Sequence, residues 1–135
     1  MRQLALSLLL MFPGLPTLAQ GHLAFHAPSG NIHCRIGSEH GGLAQCDIIE
    51  FTPNFDLPEE YCRGYEGFSF FIDSDNEAWG TCAENRVADP ASFVLEYDHQ
   101  ITFAGITCTS RRTGMTCENE AGHGFHVSRA RQELF

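Results

Sequence analysis

Apolar and polar residues alternate along most of the chain, which is the period of β-strands rather than of helices. Ile32, Cys34 and Ile36, for example, alternate with polar residues. Only residues 128–134 favour a short helix, with Ser128 as its N-cap. The pattern predicts an all-β fold, a small antiparallel sandwich or barrel of hairpins stapled by three disulfides. The predicted strands cover residues 31–36, 44–49, 67–72, 78–82, 92–97, 100–103 and 106–109.

The hairpin predicted near the C-terminal end of this series is the most constrained. Cys108 and Cys117 are symmetric about a four-residue loop, Arg111–Gly114, so their side chains face each other across an antiparallel pair. Gly114 supplies the left-handed residue that closes such a loop. The spacing therefore predicts a hairpin closed by its own disulfide.

A tight bend is predicted where Gly122 and Gly124 flank His123. A bend leaves backbone groups that sheet pairing no longer satisfies, and an imidazole can both donate and accept a hydrogen bond. We therefore expect the His123 ring to bond backbone groups across this turn. Replacement of His123 should then destabilise the fold, whereas replacement of His126 should do little.

The N-terminal segment has the pattern of an export signal. One positive charge in Met1–Gln3 precedes the apolar run Leu4–Phe12, and Thr17 and Ala19 place small residues around a cleavage site. The apolar run is shorter than the roughly 20 residues that span a bilayer, so we expect no membrane span. The pattern predicts a signal peptide over residues 1–19 and a single disulfide-stabilised domain over 20–135, periplasmic or extracellular.

Six cysteines follow the predicted signal, and none lies in a C-x-x-C pair. An even number in an oxidising compartment is more typical of disulfides than of a metal site. Six cysteines allow many pairings, and sequence alone does not choose among them. The strand order favours bridges between consecutive cysteines: Cys34–Cys46, Cys62–Cys82 and Cys108–Cys117.

The charge balance excludes one class of partner. The chain has no lysine and a formal net charge of −9, and cleavage of the signal would also remove Arg2. Such a surface repels nucleic acid, because phosphate binding needs clustered positive charge. The doublet Arg111–Arg112 is interpreted as part of a solvated turn. We expect no nucleic-acid partner and no cofactor.

One acidic segment resembles a calcium loop in its spacing. Asp73, Asp75 and Glu77 alternate, and Glu84 follows eleven residues after Asp73. The glycine that such a loop needs at its sixth position is replaced by Ala78, and no helices flank the segment. We therefore interpret it as a solvated turn that binds calcium weakly or not at all.

Histidines offer a possible metal site. His123 and His126, together with His26 and His33, could bind zinc or copper. Residues three apart on a strand face opposite sides, however, so the first pair would need a turn to converge. We expect no metal, and a metal-binding protein remains an alternative.

A hydrolase is a second alternative. Ser29, His123 and Asp47 are the residue types of a catalytic triad. The segment 28–31 is not a nucleophile elbow, and its composition is typical of a turn. A hydrolase requires that His123 meets a carboxylate and a nucleophile in a cleft, whereas a non-enzymatic binding module does not.

Aromatic residues on the predicted strands are expected to form the core. The alternative is an aromatic groove that binds a carbohydrate or a peptide, with an envelope protein or a saccharide as the ligand. The residues concerned are Phe68, Phe70, Phe71, Trp79, Phe93, Tyr97 and Phe103.

Several short motifs together resemble a family of small exported bacterial proteins classed as a domain of unknown function. These motifs are Pro-Ser-Gly-Asn-Ile-His-Cys at 28–34, Cys-Asp-Ile at 46–48, Gly-Ile-Thr-Cys at 105–108, Gly-Met-Thr-Cys-Glu-Asn at 114–119 and Gly-His-Gly-Phe at 122–125, with Ser-Arg at 128–129. The resemblance implies export, disulfides and a compact β domain, and it brings no catalytic residue. We expect a non-enzymatic structural or binding module of the cell envelope.

Overall fold

The protein is a β-sandwich of two sheets, as the computed structural model of residues 21–58 and 60–135 shows. The predicted signal peptide lies outside the described residues. A short 3-10 turn at Glu39–Gly41 connects the second and third strands, and a long irregular segment connects the third and fourth. The strands in chain order are β1 His22–His26, β2 Ile32–Gly37, β3 Leu43–Ile48, β4 Phe68–Asp73, β5 Trp79–Cys82, β6 Phe93–Val94, β7 Gln100–Phe103, β8 Ile106–Arg111, β9 Gly114–Asn119, β10 Gly124–Val127 and β11 Gln132–Leu134.

Most consecutive strands pair with each other, so that β1–β6 form one sheet and β7–β11 form the other. The first sheet has the order β5-β4-β3-β2-β1-β6 and the second has the order β11-β10-β9-β8-β7. All neighbours are antiparallel except β1 and β6, which run parallel. The predicted all-β class is confirmed, and the structure decides for two separate sheets rather than a closed barrel.

The period-two pattern places one face of each sheet in a shared core. In β2, Ile32, Cys34 and Ile36 point inward, and residues between them are only partly buried. The rings of Phe70 in the first sheet and Phe125 in the second lie 5.9 Å apart between centroids. Burial of these side chains is the main force that holds the sheets together.

The three disulfides join consecutive cysteines, in the pairing that the strand order favours: Cys34–Cys46, Cys62–Cys82 and Cys108–Cys117. The first and third each link directly opposed residues of an antiparallel pair. Both lie in the core, where the sulfurs of Cys46 and Cys117 are 3.6 Å apart across the two sheets. The remaining disulfide ties the long β3–β4 connection to the edge strand β5.

The predicted helix over 128–134 is wrong, because this segment forms a turn and the strand β11. The Ser128 hydroxyl accepts the Arg131 N–H at 3.1 Å, and the Ser128 N–H donates to the Arg131 carbonyl at 2.7 Å. A serine hydroxyl can close a turn as well as cap a helix, and β10 offers this segment a strand partner. In the described part of the chain, no helix has the length and apolarity to cross a membrane.

Candidate binding cleft

Three hairpin turns meet at one end of the sandwich. They are the β1–β2 turn at 27–31, the β8–β9 turn at 111–114 and the β10–β11 turn at 128–131. A cleft of about 180 Å³ lies between them, and we call it the arginine cleft. It is lined by Ala27, Ser29, Asn31, Ile32, Tyr97, Arg111, Arg112, Gly114, Ser128 and Arg129.

Positive charge is concentrated in the arginine cleft. Three of the lining residues are arginines, and none is acidic. Arg111 pairs with Asp98 at 3.0 Å and Arg129 pairs with Glu50 at 2.9 Å, both outside the lining. The Arg112 guanidinium instead lies over the ring of Tyr97, 4.9 Å from its centroid. A cation–π contact of this kind orients the group and leaves its charge unneutralised.

The β1–β2 turn is held in place by a side-chain clamp. Asn31 donates through Nδ2 to the Glu50 carbonyl at 2.8 Å and accepts the Glu50 N–H at 2.8 Å. The Ser29 hydroxyl oxygen accepts the Asn31 N–H at 3.3 Å. Its own proton meets no acceptor among the described residues, so Ser29 can donate into the cleft.

The three candidate triad residues do not converge. Ser29 lies at the cleft end, whereas His123 lies in the turn before β10 at the opposite end of the sandwich. Asp47 lies within β3 and is fully buried. The constellation that a serine hydrolase needs is therefore not assembled by these residues.

Asp47 has a different task, which is to hold the β5–β6 connection against the first sheet. One carboxylate oxygen accepts the Ser69 hydroxyl at 2.6 Å and the Gln45 amide at 2.9 Å. The other accepts the Val87 N–H at 2.7 Å. Three donors compensate for the burial of this carboxylate, and both of its oxygens accept hydrogen bonds from within the protein.

The four candidate metal-binding histidines are divided between the sheets. His26 and His33 are cross-strand neighbours with ring centroids 5.6 Å apart. His126 is in the second sheet, where its nitrogens bond the Thr116 hydroxyl at 2.8 Å and the Thr113 carbonyl at 3.0 Å. The structure does not bring His26 and His33 together with His123 and His126.

The turn around His123 is closed through Asn119 and the backbone of His123, and the role expected of the His123 ring stays a prediction. The side-chain oxygen of Asn119 accepts the His123 N–H at 3.0 Å, and the Asn119 N–H donates to the His123 carbonyl at 2.9 Å. Gly122 has the predicted left-handed conformation, with φ of 89°. The sequence signal for this role of Asn119 is an asparagine three residues before a glycine, since both residue types are typical of turns.

The calcium-like spacing does not form a ligand cage. Asp73 is at the tip of the β4–β5 hairpin, whereas Glu84 follows β5 at the base of the same hairpin. The Asp73 carboxylate accepts the Asn76 side-chain amide at 2.9 Å and the N–H groups of Asn76 and Asp75 at 2.7 and 3.0 Å. These hydrogen bonds, the Asn76 side chain first, lower the pKa of Asp73 below its ordinary value of 3.8.

The aromatic residues divide between core and surface. Phe68 and Phe70 are buried, as expected, but they also line an apolar groove of about 440 Å³ together with Phe55 and Leu134. Trp79 is 42% exposed and stacks on Phe71 on the outer face of the first sheet. His123 is not among the residues that line this groove.

Fold and cleft together define a disulfide-stapled β-sandwich whose hairpin turns form a basic cleft at one end. The chain belongs to a family of unknown function, DUF6636, which matches residues 4–135. The resemblance to a domain of unknown function is thereby confirmed. Comparison with curated proteins and with solved structures finds no match to this chain.

Proposed function

We propose that the protein is an exported, non-enzymatic binding module of the cell envelope. Its N-terminal sequence has the charge, apolar run and small residues of a cleavable signal. Three disulfides fit an oxidising compartment, since thiols in the cytosol are kept reduced. The mature chain begins at Gln20 and acts in the periplasm or outside the cell.

The observation that carries the binding role is the convergence of three hairpin turns around the arginine cleft. Turns on a rigid sandwich are a common place for binding residues, because the scaffold holds them while their sequences remain free to vary. Ser29 and His123 lie at opposite ends of the sandwich, and both oxygens of Asp47 accept hydrogen bonds within the fold. These two observations argue against the hydrolase alternative.

Export is tested by producing the full chain in a Gram-negative bacterium and measuring its intact mass after cell fractionation. We expect a periplasmic or secreted protein that lacks residues 1–19 and has no free thiol. A protein that keeps Met1 and stays in the cytosol would contradict the proposal.

The non-enzymatic part is tested with a panel of chromogenic esters, amides and glycosides. We expect no turnover by the mature protein. Turnover that both Ser29→Ala and His123→Ala abolish would establish the hydrolase instead.

A further inference from the structure

We propose that the arginine cleft binds one compact oxyanion, a carboxylate, phosphate or sulfate group, with Arg112 as the principal contact. This proposal rests on the binding role above and names the chemistry of the ligand.

The ion pairs single out Arg112. Six of the seven arginines in the described ranges, 21–58 and 60–135, have a carboxylate within 4.0 Å, and Arg112 has none. The chain carries 17 acidic residues, so a carboxylate partner is abundant. An arginine without one, in a concave surface that no acidic residue lines, is placed to meet an anion from outside.

The geometry of the cleft suits a planar or tetrahedral oxyanion. The contact with Tyr97 holds the Arg112 guanidinium in one orientation, and its N–H groups form a fork that matches two oxygens of one group. Ser29 can add a hydroxyl donor from the facing turn. The clamp of Asn31 on Glu50 keeps that turn in position.

Arg111 and Arg129 can add to the site because their own ion pairs are loosely held. Their side chains are 60% and 66% exposed, and exposed pairs contribute little stability. Either guanidinium can therefore bind a ligand oxygen, in addition to its carboxylate partner or in place of it. With Asp98 and Glu50 counted against the three arginines, the cleft keeps one positive charge.

The overall charge limits the size of the ligand. A long polyanion would extend beyond the cleft over the rest of an acidic protein, whose full chain has a formal net charge of −9 and repels it. A single oxyanion group, either free or at the end of a neutral saccharide or peptide, avoids that repulsion. A volume of about 180 Å³ is consistent with a group of this size.

The test is calorimetric titration of the purified mature protein with inorganic phosphate, sulfate and glucuronate, with glucose as the uncharged control. We expect saturable binding of at least one oxyanion and none of glucose. Phosphate and sulfate represent free inorganic ions, and glucuronate represents a carboxylated saccharide, so the arms distinguish the source. Arg112→Gln should weaken the binding by about tenfold or more, because it removes a charge-assisted contact.

Arg63→Gln is the matched control, since Arg63 is 78% exposed and lies on the β3–β4 connection. It should leave the affinity unchanged. Arg112 is exposed, so the loss of its contact with Tyr97 should change stability little. Arg112→Gln should therefore melt like the wild type, which separates lost binding from lost folding. Absence of binding at about 10 mM of every oxyanion, or equal weakening by the two variants, would overturn the proposal. These results are obtained on mature protein, so they are independent of whether export succeeds.

Discussion

The two ends of the sandwich use their polar groups in different ways. At the end that carries the β4–β5 turn, Asn119 donates to the carbonyls of Asp73 and Asn76, at 3.1 and 3.0 Å, and accepts the His123 N–H. These bonds connect the two sheets, because Asn119 ends β9 and Asp73 ends β4. At the cleft end, Arg112 has no carboxylate partner among the described residues.

Because of this difference, we expect one end of the sandwich to contribute to stability and the other to ligand binding. Polar groups that are satisfied inside the protein contribute to the fold, and their removal leaves partners unsatisfied. Polar groups that remain open to solvent add little to the fold and are available to a ligand. We therefore expect substitutions at the Asn119 end to change the free energy of unfolding, and substitutions at Arg112 to change affinity.

The largest effect is expected for Asn119→Ala. The side chain is buried and its loss leaves two carbonyls and one N–H without their partner. We expect the free energy of unfolding to fall by about 2–4 kcal/mol and the Tm by about 10 °C. Urea denaturation measures the first quantity and calorimetry the second.

Asn85→Ala is the matched control for Asn119→Ala. Asn85 is exposed, and its backbone carbonyl accepts a hydrogen bond from the Gln45 side-chain amide. The substitution keeps this bond, because it changes only the side chain. A loss below about 1 kcal/mol for Asn119→Ala would contradict its role between the sheets.

The next largest effect is expected for His126→Ala. Both of its ring nitrogens are bonded, so we expect a loss of about 1–2 kcal/mol in urea denaturation. His123→Ala should cost less, because the backbone of His123 and not its ring makes the bonds of the turn. The opposite order would support the role that the sequence predicts for the His123 ring.

The smallest effect on stability is expected from Asp73, and it depends on pH. The pKa of Asp73 is lowered in the folded protein, so its ionised form stabilises the fold above pH 3.8, and this contribution is lost as the pH falls below that value. Asp73→Ala should therefore be less stable than wild type at pH 7, and the difference should shrink towards pH 3. Urea denaturation at several pH values measures it.

Asp75→Ala is the control for that pH series. The Asp75 carboxylate accepts the Ser74 hydroxyl at 3.3 Å, whereas three donors converge on Asp73. We expect Asp75→Ala to cost less at neutral pH. A constant difference between Asp73→Ala and wild type from pH 7 to pH 3 would disagree with the lowered pKa.

The sequence predicted the parts of this fold that depend on local pattern. Period-two alternation identified β2, β3 and β8, and the symmetry of Cys108 and Cys117 identified their hairpin. It failed at 128–134, where the choice between helix and strand depended on β10 as a partner.

The arginine cleft could not be predicted in the same way. Arg112 and Ser29 lie in turns of different sheets, and their proximity follows from how the sheets pack. The local sequence around Arg111–Arg112 predicts a solvated turn, but it does not show that Arg129 lies beside this turn in the fold. The role of Asn119 likewise depends on carbonyls more than forty residues away in sequence.

The most direct test of the difference between the two ends is an NMR titration of the ¹⁵N-labelled mature protein with the oxyanion that binds in the calorimetric titration. We expect the amide signals of Ser29, Arg112 and Ser128 to shift in a saturable way, and those of Asn119 and His123 to stay unchanged. Shifts centred on Asn119 and His123, or spread evenly over the molecule, would contradict the assignment of binding to the cleft end.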